Sequence, residues 1–435
     1  MSIFRPIIKN PEFHLKRNLR LFETTMAGVG FILGAGIYVL IGAVAGLSGT
    51  AIWLSFVFAA LAAIFSGLSY AELSSIFPVN ASEYVYANEG LGKGFGFFSY
   101  ISIILALTTG IATVSLGFAG YFGALTGIEN ILLIALSTII LFAFLNWLSV
   151  KKVSIINLIC TIASILGLLI IVALAFFKGE PTNYLTMPEG FFGVIKGASL
   201  IFFAYLGFEG IVKLSEETKN ARKTIPKAIL LSIIISTAVY IAVAIAAVKV
   251  LPWQILANSS APLADVAAHV LGNKAFLLLG IIALLSAANT ILMGILSSSR
   301  GFYGLGEVFK KFKFFSKIGI RETPTRAIIV TSIIAISFLF FKDISIVAGF
   351  TNFMVFVTFI IINLSAIRLR YKQPNTIRKF KIPFSIGKFP IFPLFGILIS
   401  LFLLINLETI NIILGISFTL IIILLYYFLH HKKPS

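Results

Sequence analysis

The stretch 28-GVGFILGAGIYVLIG-42 sets Gly28, Gly30, Gly34, Gly36 and Gly42 among apolar residues near the start of a 435-residue chain. A glycine inside a helix costs roughly 1 kcal/mol relative to alanine, so the run weakens the very helix that its apolar neighbours call for. Two physical readings compete. Small residues at GxxxG spacing, which Gly30 and Gly34 have, let membrane helices pack closely. Alternatively the helix is broken on purpose, because unwound backbone persists at membrane depth only where it is buried in protein or lines a cavity.

Composition places this stretch in a membrane. The chain is 59% hydrophobic and only 11% charged, against about 25% charged residues in a soluble protein. Apolar runs of about 20 residues recur from end to end, the length that crosses a bilayer as a helix. Twelve spans are expected, near 24–46, 51–77, 97–124, 129–149, 154–177, 191–212, 225–249, 274–300, 326–341, 345–367, 389–406 and 409–430. With the N-terminus inside, alternation across these spans puts 29 of the 34 Lys and Arg residues on one side. Only Lys178, Lys196, Lys249, Lys274 and Lys342 fall on the other. That asymmetry is the positive-inside rule. It makes both termini cytoplasmic and assigns the net charge of +18 to the membrane topology, with no nucleic-acid partner. The run 310-KKFKFFSK-317 then reads as a solvated basic loop, with anionic lipid as its alternative contact.

The N-terminal MSIFRPIIKNPEFHLKRNLR lacks a cleavage site after a short apolar core and reads as a cytoplasmic lead-in rather than a signal peptide. The single Cys160 excludes an intrachain disulfide, and His14, His269, His430 and His431 are scattered or terminal. No metal set, no cofactor site and no nucleophile–base set is visible, so an enzyme is not expected. The GxG spacing lacks the strand, helix and acidic partner of a nucleotide fold. The longest links, 250–273 and 301–325, are too short for a core of their own.

A second interrupted span sharpens the reading of the first. In 200-LIFFAYLGFEGIVKLSEET-218, Gly207, Gly210 and the ionisable Glu209 lie inside the apolar run. An ionisable residue at that depth is expensive and usually functional. Interruptions in the first and sixth spans are what an inverted-repeat transporter predicts. The chain then divides into a lead-in over 1–23, a first repeat over 24–177, a second over 191–367, two further helices over 389–430 and a tail over 431–435. A break near Ala35 and Gly36 opens a half-helix N-terminus, which favours a carboxylate. Carbonyls freed around Ile32, and at Phe203, Ala204 and Leu206, accept hydrogen bonds from an ammonium. Amide donors beside carbonyl acceptors suit a zwitterionic α-amino acid.

At these residues the chain resembles the amino acid–polyamine–organocation (APC) superfamily of transporters, in its cationic amino acid transporter-like branch. The likeness is carried by 16-KRNLRLFETTMAGVGFILGAGIYVL-40, 70-YAELSSIFPVNASEYVYA-87, 202-FFAYLGFEGIVKLSEETKNARKTIPKAI-229 and 299-SRGFYGL-305 followed by 324-PTRA-327. It implies an all-α polytopic membrane protein of 12 transmembrane helices, a five-plus-five inverted repeat with discontinuous helices 1 and 6 and two added helices. It also implies backbone contacts to substrate from Ile32, Ala35, Gly36, Phe203, Ala204 and Leu206, with Phe203 and Phe208 as aromatic covers. Glu209 matches an acidic position linked to gating or proton sensing; the competing role is a hydrogen-bonded structural carboxylate. Three positions depart from the family pattern. Ala81 and Ser82 replace paired glycines, Asn220-Ala221 replaces Asn-Pro, and Ser164 stands where proton-coupled relatives carry a lysine, so that lysine mechanism does not carry over.

Asn157, Thr161 and Ser164 share one helical face, as do Ser286, Asn289, Thr290 and Ser297. Such stripes serve interhelical hydrogen bonding. They equally serve a cation site against the first break, since oxygen ligands suit a hard ion; a sodium position near Ser286, Asn289 and Thr290 is the candidate, with H+ or Na+ as the coupling ion. Glu72, near the inner end of the second span, is expected to pair with a loop cation. The expectation overall is a secondary active transporter that moves amino acids by alternating access, through ion-coupled symport or exchange. Its partners are a small-molecule amino acid and the lipid bilayer of the cell membrane. The alternatives are a polyamine or other organic amine carrier, which has no need of amide donors at Ala35 and Gly36, and a non-transporting membrane sensor.

Overall fold

The structure, a computed structural model, describes residues 18–431 except 80, 149–152, 179, 181, 216 and 320–322. Most of the expected lead-in, the tail beyond 431, Lys151, Lys152 and the side chain of Asn157 lie outside the described residues. The first expected span is two half-helices, α1 (Leu21–Ile32) and α2 (Gly36–Ser48). A 3-10 turn at Gly49–Ala51 joins α2 to α3 (Ile52–Ile76), and Gly49 takes the left-handed φ of +60° that the reversal needs. Next come α4 (Ser82–Gly90), α5 (Lys93–Thr126), α6 (Ile131–Leu148), α7 (Val153–Lys178) and α8 (Gly190–Ile201). The 3-10 segments Phe202–Tyr205 and Phe208–Leu214 follow α8. The chain continues through α9 (Ala221–Val250), α10 (Trp253–Asn258), α11 (Pro262–Leu271), α12 (Asn273–Val308), α13 (Thr325–Leu339) and α14 (Ile344–Lys372). A two-stranded hairpin of β1 (Ser385–Ile386) and β2 (Phe389–Pro390) precedes α15 (Ile391–Ile405) and α16 (Thr409–His431).

Among the described residues, nine helical stretches are long and apolar enough to cross a membrane, the first being Gly36–Ile76. Four shorter apolar helices accompany them: Leu21–Ile32, Pro262–Leu271, Thr325–Leu339 and Ile391–Ile405. The chain is thus a nearly all-helical polytopic membrane protein. The sequence pattern misses α4, α10 and α11. They are short, and Pro262 at the head of α11 reads as loop punctuation although proline fits the first turn of a helix. The second half of the sixth expected span also differs from expectation, because residues 208–214 form a 3-10 helix rather than an α-helix.

Apolar faces sort these helices into a wall and a centre. On α6, Leu133, Ile140, Leu141 and Phe144 are all more than half exposed, a surface that belongs against lipid rather than water. The apolar window of α5 is 78% buried and that of α16 only 11%, so α5 is central and α16 peripheral. α5 packs between α12 and α14, while α3 runs along α8 and α9, and α1 along α9. The two broken spans therefore lie between the α3–α9 layer and the α5–α12 layer.

One buried ion cluster ties the C-terminal end of α3 to the last turn of α14 and the segment after it. Glu72, 1% exposed, accepts from Arg370 Nε at 2.9 Å, Arg370 Nη2 at 2.5 Å, Arg378 Nε at 3.1 Å and the Ile382 N–H at 2.8 Å. Arg370, 4% exposed, also donates to the Ile382 carbonyl and Ser385. The expected loop cation is thus a pair of arginines. Removing the carboxylate leaves two buried guanidiniums, a change worth about 3–5 kcal/mol. Glu72→Ala is expected to lower the thermal unfolding midpoint in detergent strongly, and Glu72→Leu with Arg370→Met to recover most of the loss. An unchanged midpoint in Glu72→Ala would contradict a stabilising cluster.

Candidate functional site

The first break is short, and the amides of Leu33, Gly34 and Ala35 all find acceptors. α1 closes with Leu33 N–H on the Val29 carbonyl (2.7 Å) and Gly34 N–H on the Ile32 carbonyl (2.7 Å). The Ala35 N–H donates to Thr290 Oγ1 on α12 at 3.2 Å. The ladder of α2 resumes with Val39 N–H on the Ala35 carbonyl, which leaves the first-turn amides from Gly36 onward with no carbonyl of their own helix. The glycines divide by role. A Cβ on Gly30 would meet Thr161 at 2.8 Å and one on Gly42 the Leu256 carbonyl at 2.6 Å, which is close packing. Gly36 instead faces the second break, where a Cβ would stand 2.7 Å from Ala204 Cα.

At the second break, the 3-10 turn over Phe202–Tyr205 gives way to extended Leu206 and to Gly207 at φ +121°. That φ belongs to glycine, and a Cβ there would stand 2.6 Å from the Phe31 carbonyl. The two breaks thus touch backbone to backbone at two places, Gly36 on Ala204 and Gly207 on Phe31. Glu209, 3% exposed, folds back so that its Oε2 accepts from the Gly207 N–H at 2.9 Å. In this conformation the carboxylate holds the break itself.

A residue that the sequence reading missed joins the two breaks. Tyr240 on α9 is fully buried, and its hydroxyl lies 2.5 Å from the Ile32 carbonyl and 2.9 Å from the Ala204 carbonyl. A phenol carries one proton, so the two carbonyls share a single donor. With Gly34 N–H also on it, the Ile32 oxygen has both lone pairs engaged. Ala204 keeps one free, and Phe203 accepts from the Leu206 N–H at 3.2 Å. The sequence did hold a signal for Tyr240. A buried tyrosine hydroxyl needs a partner, and this is a lone phenol in an aliphatic span.

Most of the expected coupling residues meet at the first break. Ser164 Oγ on α7 donates to the Leu33 carbonyl at 3.3 Å and lies 3.0 Å from Ser286 Oγ on α12. Thr290 Oγ1 donates to the Ser286 carbonyl at 2.9 Å. A chain of oxygens thus runs from Leu33 through Ser164, Ser286 and Thr290 to the Ala35 amide. Asn289, half-buried, lies one residue before Thr290. Tyr38 on α2 adds a bond to the Ser164 carbonyl at 2.7 Å. The aromatic candidates separate. Phe203, 7% exposed, lies near Gly110 of α5, whereas Phe208 is fully buried edge-on to Tyr70 (5.7 Å) and tilted against Phe359 (5.3 Å). Leu206 is half-buried.

Comparison with known proteins identifies the family. The sequence model of the amino acid permease family matches residues 19–429. The branched-chain amino acid permease BcaP of Bacillus subtilis is 32% identical over 98% of this chain and 95% of its own length. The methylthioribose transporter of the same bacterium is 28% identical over 97% and 95%. Cationic amino acid transporter 4 of Mus musculus is 28% identical over 84% of this chain and 61% of its own.

Two substitutions test the geometry. Tyr240→Phe removes the shared donor and strands the buried Ala204 carbonyl, while Ile32 keeps only the Gly34 amide, a cost of about 1–3 kcal/mol, so a lowered unfolding midpoint and slowed transport are expected; wild-type values for both would contradict the bridge. Gly36→Leu drives a side chain into Ala204, so substrate binding is expected to vanish while the protein still elutes as a folded species. Unchanged affinity would remove the first break from the site.

Proposed function

This chain belongs to the amino acid permease family, in the cationic amino acid transporter-like branch of the APC superfamily, and from that premise we propose that it is a secondary active carrier moving an amino acid across the membrane by alternating access. The observation that carries the reading is the backbone contact of the two breaks. It sets the open first turn of α2 beside the carbonyls of Phe203 and Ala204. A substrate carboxylate meets the amides from Gly36 onward, where a helix N-terminus favours negative charge, and the substrate ammonium takes the free lone pair of Ala204. An ammonium with three donors then shares that carbonyl oxygen with Tyr240. Binding and the bridge between the breaks are therefore linked.

The architecture proposed to do this is a five-plus-five inverted repeat over 24–177 and 191–367, with 389–430 added, crossing the membrane twelve times. The half-helices α1 and α2 supply one crossing, α8 with its 3-10 continuation another, and the short apolar helices α13 and α15 two more. Both termini are placed in the cytoplasm, on the side of the basic links, by the positive-inside rule. For coupling, the oxygens of Leu33, Ser164, Ser286 and Thr290, with Asn289 beside them, form a hard-ion set that suits Na+. Glu209 is the group suited to a proton, and releasing Gly207 from it would loosen the second break.

Uptake into proteoliposomes of a labelled panel tests the reading, with sodium and pH gradients imposed separately. The panel holds branched-chain, cationic and small neutral amino acids, a polyamine, and methylthioribose because a relative carries it. Uptake of an amino acid that responds to one gradient, or exchanges with internal amino acid, is the expected result. No transport of or competition by any amino acid would overturn it.

A further inference from the structure

The basic run over Lys310–Ser316 is not a plain solvated loop. It is a 3-10 helix with two faces. Phe312 and Phe315 turn inward, Phe312 stacking on Phe97 of α5 at 6.5 Å and Phe315 lying 5.4 Å from Phe302 of α12. The outward face holds Lys311, Lys313 and Lys317, all exposed, together with Phe314 at 57% and Ile318 at 54% exposure. Arg326, at the start of α13, sets its guanidinium 4.4 Å from the centre of the Phe314 ring.

The inner end of α16 continues this face. Lys311 Nζ donates to the Leu429 carbonyl at 2.5 Å, Tyr426 packs on Phe97 at 5.5 Å, and Tyr427 and Phe428 are 55% and 62% exposed. Residues 309–319 carry four lysines and no acid. Four large apolar side chains beside three lysines and an arginine therefore lie where α12, α13 and α16 leave the membrane. A water-facing loop gains nothing from exposed Phe314, Ile318 and Phe428. At a membrane boundary the same arrangement is favourable, because aromatic rings settle at headgroup level and basic side chains meet lipid phosphate.

We propose that this face, formed by residues 311–318, Arg326 and the end of α16, binds anionic phospholipid. The phosphate is held by Lys311, Lys313, Lys317 and Arg326, and the acyl chains lie along Phe314, Ile318 and Phe428. The proposal rests on the membrane placement of the chain and not on which substrate it carries. The cation–π contact of Arg326 with Phe314 holds one charge at the apolar edge, where the phosphate of a seated lipid lies.

The test is direct binding to the full-length protein, purified in detergent and titrated with phosphatidylglycerol or phosphatidylcholine, with retained lipid measured by native mass spectrometry. Wild type is expected to retain phosphatidylglycerol in clear preference. Each basic side chain near an anionic surface is worth about fivefold in partition, so Lys311→Gln/Lys313→Gln/Lys317→Gln is expected to weaken that binding about a hundredfold. Raised salt should weaken wild type and barely affect the variant. Lys274→Gln, on the opposite face, should bind as wild type does. Because the three lysines are exposed, the variant is expected to keep the wild-type unfolding midpoint in detergent, which checks that lost binding is not lost folding. Equal retention of the two lipids by wild type, or equal phosphatidylglycerol retention by wild type and the triple variant, would overturn the proposal. Displacement of the lipid by an equal concentration of inorganic phosphate would overturn it too, by making the face a site for a soluble anion.

Discussion

Everything at the centre of this molecule depends on two broken spans being pressed together without side chains between them. Gly36 lies on Ala204 and Gly207 on the Phe31 carbonyl, each too close for a Cβ. The approach has a cost, since glycine weakens both helices and breaking a helix in hydrocarbon exposes backbone groups that lipid cannot satisfy. The fold meets that cost with borrowed partners. Thr290 takes the Ala35 amide, Ser164 the Leu33 carbonyl, Tyr240 the carbonyls of Ile32 and Ala204, and Glu209 the Gly207 amide.

Those partners come from different helices, so the two breaks are held by one shared set of hydrogen bonds. α7 and α12 hold the first break, α9 bridges both, and Glu209 closes the second from within its own span. A ligand that takes one of these groups changes what the others bond to. Coupling between an ion, a substrate and a conformational change needs a differential interaction with two arrangements of the same groups. A shared proton on Tyr240 and a chain of hydroxyls from Leu33 to Ala35 provide groups with more than one possible partner. Farther out, the Glu72–Arg370–Arg378 cluster has every carboxylate position occupied and fixes the C-terminal end of α3.

The parts legible in the sequence were those written in local chemistry. Glycines clustered in apolar runs marked both breaks, and Glu209 announced itself as an ionisable group inside one of those runs. The hydroxyl stripes of α7 and α12 placed Ser164, Ser286 and Thr290 on the right faces, yet not on their partners. Tyr240 stayed hidden because its role is set by two carbonyls more than 30 and 200 positions away. Residues 208–214 read as ordinary helix because nothing local distinguishes 3-10 from α once Gly207 has turned the chain. Phe208 was read as a cover for the site, and only tertiary packing sets its ring against Tyr70 and Phe359.

The central claim is that backbone groups at the two breaks recognise the two charges of an α-amino acid. Calorimetric binding to the purified protein of a transported amino acid, its methyl ester and its decarboxylated amine tests this most directly. The account predicts that the amino acid binds and that both analogues lose at least about 1.5–3 kcal/mol, the worth of a hydrogen bond to a charged group. Equal affinity for the decarboxylated amine would contradict it, because the amides opened at Gly36 would then be holding nothing.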